Sequence, residues 1–403
     1  MIFYFEKGNC ILRTYNNDTN TFADMNEKDM YSTKRHYFLL KSYEATDESL
    51  KQFSLDFLNW VEELKHNDIF KFDYCKYKSH ESATIEMFKK LCHGKFEDIE
   101  DIDDVEYNWI ESCNNSGLLF CKPGEYNNCH GYDFSSFYPT ILTSERLEIP
   151  TCKGKEKTIK ILDFKKLELG FYKVKIISSD KNFNKIFSYS KQNVYTSMNL
   201  YLANQCVTIH KMNVQIELIE EKNNCYIHNK ENTIKGSNVF RKWSKYLFKL
   251  KEKFPKNKLI KTITSSVWGR IVEHNKLFKT DEEISTEKLK VSLNYDRKFD
   301  YFIRDIKFKK DLSTLYELVN IKQPYRFNIA RVKPFLISNG RYMISQIALM
   351  YINDVIRICV DNVTFDEEHD DVMKKFKNYK LLKENKTSGK LIWKNVYNGT
   401  KVA

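Results

Sequence analysis

Residues with the makings of chemistry concentrate in three stretches. Gly131-Tyr132-Asp133-Phe134-Ser135-Ser136-Phe137-Tyr138-Pro139-Thr140-Ile141-Leu142 reads as a short strand ending at Asp133, then a tight turn into a helix. Free backbone N–H groups from Phe134 to Tyr138 could there receive phosphate oxygens while Asp133 holds a divalent cation. Lys261-Thr262-Ile263-Thr264-Ser265-Ser266-Val267-Trp268-Gly269 sets an ammonium one to two helical turns before a flat aromatic, which suits phosphates at one end and a base at the other. Val355-Ile356-Arg357-Ile358-Cys359-Val360-Asp361-Asn362-Val363-Thr364-Phe365 reads as a hairpin turning at Asn362, with Asp361 at the turn. Each alone has a plainer reading, as a capped turn, a basic amphipathic helix and an ordinary hairpin.

The elements that must position these stretches are legible from their period. Residues 46–66 read as an amphipathic helix capped by Asp47, with Leu50, Phe53, Phe57, Trp60, Val61 and Leu64 forming a core stripe. Another helix is expected from Ser82 to Cys92, and Glu97 to Glu106 reads as an acidic connector with a solvated face. Residues 1–45 alternate short strand-like runs with polar turns. From Trp109 a loop, a strand at Leu118 to Phe120 and a turn at Pro123-Gly124 lead into the strand ending at Asp133. Strands at 172–177 and 214–219 flank a helix from Thr196 to Gln205. Ser237 to Phe254 is the clearest helix, striped by Val239, Trp243, Tyr246, Leu247, Leu250 and Phe254, with Lys251 among the basic residues off the stripe. Pro255 ends it, and a second helix then presents Lys258, Lys261, Ser265 and Trp268 at spacings of three and four. A helix from Asn339 to about Asn353 carries Arg341, and Lys394 and Tyr397 lie on a strand-like piece further on.

The first stretch, in the form D-x-x-S-[LF]-Y-P-[ST]-I, resembles the first polymerase motif of family B DNA polymerases, with Asp133, Ser136, Tyr138 and Pro139 on its fixed positions. The second resembles K-x-x-x-N-S-x-Y-G: Lys261, Ser266 and Gly269 match, while Ser265 replaces Asn and Trp268 replaces Tyr. The hairpin resembles the third motif, whose D-T-D-S places here read Cys359-Val360-Asp361-Asn362, keeping the second Asp. A shifted register would put Asp361 first and Val363 at the ligand position. The three motifs stand in order, 128 residues apart (133 to 261) and then 100 (261 to 361), and the resemblance spans roughly residues 105–397.

The resemblance implies an α+β polymerase right hand with an antiparallel-sheet palm and helical-hairpin fingers, of the viral and linear-plasmid, protein-primed-like group. Its layout would be an N-terminal region at 1–105 that is a remnant of an exonuclease domain, a first palm part with an insertion at 106–235, fingers at 236–285, a second palm part at 286–365 and the start of a thumb at 366–403. It implies two-metal transfer of dNTPs to a primer 3′-OH, with two Mg²⁺ ions, or Mn²⁺ in their place, held by Asp133 and Asp361. Lys261, with Lys251 and Lys258, would hold the triphosphate. Phe134, Ser135, Ser136 and Phe137 would supply amides, Tyr138 would stack on the sugar and exclude a 2′-OH, and Ser265 and Trp268 would flank the nascent base pair.

Gly117, the surviving residue of a Tyr/Gly-rich segment that reads Asn114-Asn115-Ser116-Gly117, would contact DNA together with Arg341, Lys394 and Tyr397. The partners implied are primer-template DNA, dNTPs and, at the insertion, a terminal protein or other replication proteins. The D-x-E pairs before Asp133, Asp98-Ile99-Glu100 and Asp104-Val105-Glu106, lie in the acidic connector, so no proofreading is expected. Two rival readings remain: a non-catalytic, nucleic-acid-binding polymerase remnant, which Cys359 and Ser265 favour, and one piece of a split polymerase.

Composition agrees with a polyanionic partner. The 403 residues carry 66 Lys+Arg against 54 Asp+Glu, a formal charge of +12, and 42% apolar residues provide for a real core. Ten cysteines without a C-x-x-C pair argue against a zinc site and for reduced thiols. No apolar run reaches the ~20 residues that span a bilayer. The expectation is a soluble intracellular protein, in the host cytoplasm or a virus factory if the source is viral, as abundant Lys, Asn, Ile and Tyr beside 12 Gly and 6 Pro suggest.

Overall fold

The computed structural model describes the chain except residues 1, 9–10, 27–36, 40–45, 67–70, 78–79, 93–98, 114–115, 127–128, 135, 254–266, 268, 297, 309–313, 377–380, 387–388 and 392–403. For 2–8, 11, 37–39, 75, 80–81, 381–386 and 389–391 it describes the backbone alone. It is a mixed helix and sheet fold with predominantly antiparallel sheets, divided into two units, residues 1–97 with 242–270, and residues 98–241 with 271–403.

The first unit is built on the helix Asp47–His66, which buries Leu50, Phe57, Trp60, Val61 and Leu64 along the stripe that its period announces. Edge-on contacts of Trp60 and Phe57 with Tyr74 close that core, at centroid distances of 4.9 and 5.6 Å. Thr46 rather than Asp47 caps the helix: the Ser49 amide donates to Thr46 Oγ1 at 3.2 Å and the Thr46 amide to Ser49 Oγ at 2.7 Å. The Asp47 carboxylate is taken instead by Arg13, whose Nε donates to it at 2.8 Å. Ile2–Gly8, Ile11–Asn16, Thr21–Asn26 and Tyr37–Leu39 form a sheet in which the last strand pairs parallel to the first. The helix His80–Leu91 brings Phe88 to 5.4 Å from Trp243.

Three sheets organise the second unit. The central one runs in the order Leu381–Lys386, Cys129–Phe134, Asn362–Phe365, Val355–Cys359, Leu119–Cys121, antiparallel throughout. Over it lies the helix Val332–Met350, which starts seven residues before the expected Asn339 because Pro334 falls in its first turn, where the missing N–H costs nothing. A second sheet joins Lys155–Lys157, Cys225–Ile227, Gly170–Ser178, Val194–Thr196 and Val214–Leu218. A third comprises Lys276–Lys279, Thr314–Asn320, Tyr301–Phe308 and Val291–Ser292. The helix Gly236–Lys253, which belongs to the first unit from Lys242 on, matches its expected bounds to within a residue and buries Val239, Trp243, Tyr246, Leu247 and Leu250. Of the helix expected after it, Lys258, Lys261 and Ser265, with Trp268, lie outside the described residues, and Val267 is buried.

The acidic connector needs correcting. Residues Asp104–Ser112 are a helix that includes Trp109, and Glu106 on it is fully buried. Its carboxylate meets the guanidinium of Arg331, also fully buried, through two parallel bonds: Nε to Oε1 at 2.9 Å and Nη2 to Oε2 at 2.8 Å. Nη1 of Arg331 donates to the Thr151 carbonyl at 2.9 Å. A buried fork of this kind satisfies both charges, so the pair fastens the helix to the entry of Val332–Met350.

Candidate active site

Asp133 is the penultimate residue of a strand paired on both edges: it faces Asn362 across one ladder and Leu382 across the other. Asp361 occupies the turn beside it. Cys359 pairs with Asn362, leaving Val360 and Asp361 as a two-residue hairpin loop, and only Val360 of the two has a positive φ, 57°. The Asp361 amide donates to the Cys359 carbonyl at 2.7 Å and closes a three-residue turn centred on Val360, at a φ that ordinarily suits Gly. A β-branched residue there is strained. The surroundings hold it: the Val360 amide donates to the Leu118 carbonyl at 2.9 Å, and the Phe134 amide to the Asp361 carbonyl at 2.9 Å. The second of these bonds ties the two aspartate segments directly together.

Asn362, 5% exposed, is buttressed by Arg357 Nη1 at 3.2 Å and by the Thr364 hydroxyl at 3.0 Å, both donating to its Oδ1. Val363, the position that a shifted register would make a ligand, is fully buried and paired with Tyr132.

After Asp133 the chain turns sharply. Ser136 takes a left-handed conformation, φ 56°, and precedes the six-residue helix Phe137–Leu142. Phe134 and Phe137 are buried, their rings 5.0 Å apart. Tyr138 is half-buried; burial and then the Asp361 carboxylate push its hydroxyl up to about 12, against an opposite pull from Arg341. Tyr138 therefore lies within electrostatic reach of both residues, and at neutral pH it is a neutral donor.

Arg341 is 3% exposed, not a surface residue, and its Nε donates to the Ser116 carbonyl at 2.9 Å. Beside it, a Cβ on Gly340 would stand 3.1 Å from the Phe137 ring, so this glycine lets the long helix approach the helix after Asp133. Gly117 sits under the hairpin turn, where a Cβ would come 2.8 Å from Val360 Cγ2.

Asp133, Phe134, Ser136, Phe137, Tyr138, Gly117, Arg341 and Asp361 thus gather in the second unit, around one end of the central sheet. Lys251 is exposed and belongs to the first unit. Ser135, Lys394 and Tyr397 lie outside the described residues. Sequence reasoning passed over Arg357, which hid in a strand as one more basic residue. It also passed over a cavity of about 500 Å³ beside Ser116, whose lining includes Glu111, His274, Arg304, Tyr325 and Lys333. Glu111 there accepts from the Tyr325 hydroxyl at 2.6 Å.

Among the described residues no group of three or more His, Cys, Asp or Glu could hold a metal by itself. Asp133 and Asp361, on segments joined by a backbone bond, offer an oxygen-only donor set, which suits a hard cation that fills its remaining positions with water or with phosphate oxygens. No described helix is long and apolar enough to cross a membrane.

No protein-family model matches the sequence, and no curated protein matches it. Solved structures do resemble the fold. Phi29 DNA polymerase complexed with primer-template DNA and incoming nucleotide substrates is similar over 83% of this chain and 56% of its own, with a TM-score of 0.52 at 12% identity. The same polymerase complexed with single-stranded DNA is similar over 91% of this chain and 65% of its own, with a TM-score of 0.54 at 11% identity. This chain therefore spans between 56 and 65% of the length of those structures, and what it shares with them is a DNA polymerase-like fold.

Proposed function

We propose that the chain is a DNA-directed DNA polymerase of the protein-primed-like family B group, which adds dNTPs to a primer 3′-OH. The observation that carries this reading is the tie between the Phe134 amide and the Asp361 carbonyl at 2.9 Å, which keeps two aspartates from distant motifs beside one another. In this reading Asp133 and Asp361 hold Mg²⁺, with Mn²⁺ as a substitute. When bound, the ions neutralise the triphosphate and lower the pKa of the primer hydroxyl. Tyr138, kept neutral, packs against the sugar and excludes a 2′-OH. Arg341 is a positioning residue that fixes the Ser116–Gly117 segment. The exposed Lys251, with Lys258 and Lys261, completes the phosphate contacts on the strength of the second motif alone. Right-hand subdomains, a viral or plasmid source and a terminal-protein partner belong to the same proposal.

Primer extension on a primed DNA template with dNTPs and Mg²⁺ tests it. The wild-type chain should extend, and Asp133→Ala should lose several kcal/mol of transition-state stabilisation, roughly a thousand-fold or more in rate. Normal extension by the variant would remove Asp133 from catalysis. The remnant reading rests on Cys359, which stands where the resembled motif has its first carboxylate; it predicts DNA binding by the wild-type chain without any extension.

A further inference from the structure

The second sheet of the same unit encloses a cavity of about 710 Å³ whose lining is unrelated to the aspartate pair. Lys155 faces Ile227 across a strand pair, His228 follows at once, and Lys230 opens the short turn Lys230–Asn232. Five lysines line this cavity, at 153, 155, 157, 166 and 230, against the two carboxylates Glu148 and Glu168. Those carboxylates are occupied: Glu168 by Lys157 at 3.2 Å and Glu148 by Lys235 at 3.1 Å. Lys153 is shared between Glu100 at 3.4 Å and Asp103 at 3.6 Å. Lys155, Lys166 and Lys230 are exposed, and the ion pairs found among the described residues do not include them.

Behind the cavity wall lies a histidine whose free ring nitrogen is closed off from it. His228 is 2% exposed and packed among the rings of Phe171, Tyr226 and Phe335. Its Nδ1 lies 3.3 Å from the Cys152 carbonyl, while its Nε2 has no hydrogen-bond partner among the described residues. A carbonyl only accepts, so Nδ1 carries the proton and Nε2 is left as an acceptor. Burial, and then the nearby Arg331 charge, draw the imidazole pKa down to about 3, so the ring is neutral at physiological pH.

We propose that this cavity binds a phosphorylated ligand of mononucleotide size, with its phosphates held by Lys155, Lys166 and Lys230. The volume lies in the range of small-molecule sites. Lysines on flexible stems are point charges suited to phosphate, and none of this chemistry requires a metal. The site goes beyond the polymerase reading and does not depend on it.

The test is calorimetric titration of the full chain in EDTA, which keeps metal-dependent nucleotide binding at the aspartates out of the measurement. ADP is the probe, with inorganic pyrophosphate and a short single-stranded oligonucleotide as separate arms. ADP should bind saturably, and the double variant Lys166→Ala/Lys230→Ala, whose side chains are exposed, should bind it at least about ten-fold more weakly. Asp133→Ala should bind ADP like the wild type even though it no longer extends primers, so loss of one property cannot be mistaken for loss of the other. Absence of ADP binding, or indifference of ADP binding to the lysine substitutions, would each overturn the assignment.

Discussion

Gly117 lies directly beneath Val360: a Cβ at residue 117 would meet Val360 Cγ2 at 2.8 Å and Cγ1 at 3.2 Å. Separations under 3 Å are not tolerated, and a β-branched side chain on a left-handed backbone has few rotamers in which to yield. The turn that would have to move is the one that presents Asp361.

Gly117→Ala should therefore lower primer extension about ten-fold or more through displaced geometry while costing only about 1 kcal/mol of stability. Adding Val360→Ala removes the two methyl groups that the new Cβ meets, and it should restore much of the rate. If the double variant is no faster than Gly117→Ala alone, the contact is not what couples these residues.

The hairpin makes a second prediction. Asp361→Asn should abolish extension, whereas Cys359→Ser should keep most of it, because residue 359 is paired in the ladder two positions before Asp361. Extension by Asp361→Asn at the wild-type rate, measured in single turnover, would take the metal-ligand role away from residue 361.

Where local rules dominate, the sequence is legible. The Asp47–His66 and Gly236–Lys253 helices follow their apolar period, and the hairpin is recognisable as two strands, but its turn falls on Val360 and Asp361, not on the expected Asn362, which already pairs in the return strand. What escaped depends on partners far away in the chain. Glu106 looked like one more solvated acid because the residue that pairs with it, Arg331, lies 225 positions later. Nothing near Arg341 in the sequence marks it as buried, because its partner, the Ser116 carbonyl, lies 225 positions earlier. The tight approach of Gly117 to Val360 likewise has no local signature. A charged residue's burial is decided by its tertiary partner, which composition and period do not encode.

The Glu106–Arg331 pair predicts a strongly coupled double-mutant cycle. Arg331→Met leaves a carboxylate buried without its fork and should cost about 3–5 kcal/mol in urea denaturation. Glu106→Leu/Arg331→Met, which removes both charges, should be less destabilised than Arg331→Met alone. Additive losses would mean that the two charges do not depend on one another.

His228 predicts the direction of acid sensitivity. Its pKa in the folded chain is drawn down to about 3, below the ordinary value of about 6.5 that it regains on unfolding. Between those values the unfolded chain takes up a proton that the folded chain refuses, so the contribution of His228 is intact above pH 6.5 and falls away as the pH drops toward 3. His228→Gln removes the titrating group. Its urea midpoint should therefore decline less between pH 7 and pH 4.5 than that of the wild type, even if its stability at pH 7 is lower. The carboxylates common to both proteins titrate in the same window and cancel in the comparison, which makes the difference between the two declines the quantity to measure. Parallel declines would mean that the imidazole is already protonated in the folded state, and the neutral ring with an accepting Nε2 would have to be abandoned.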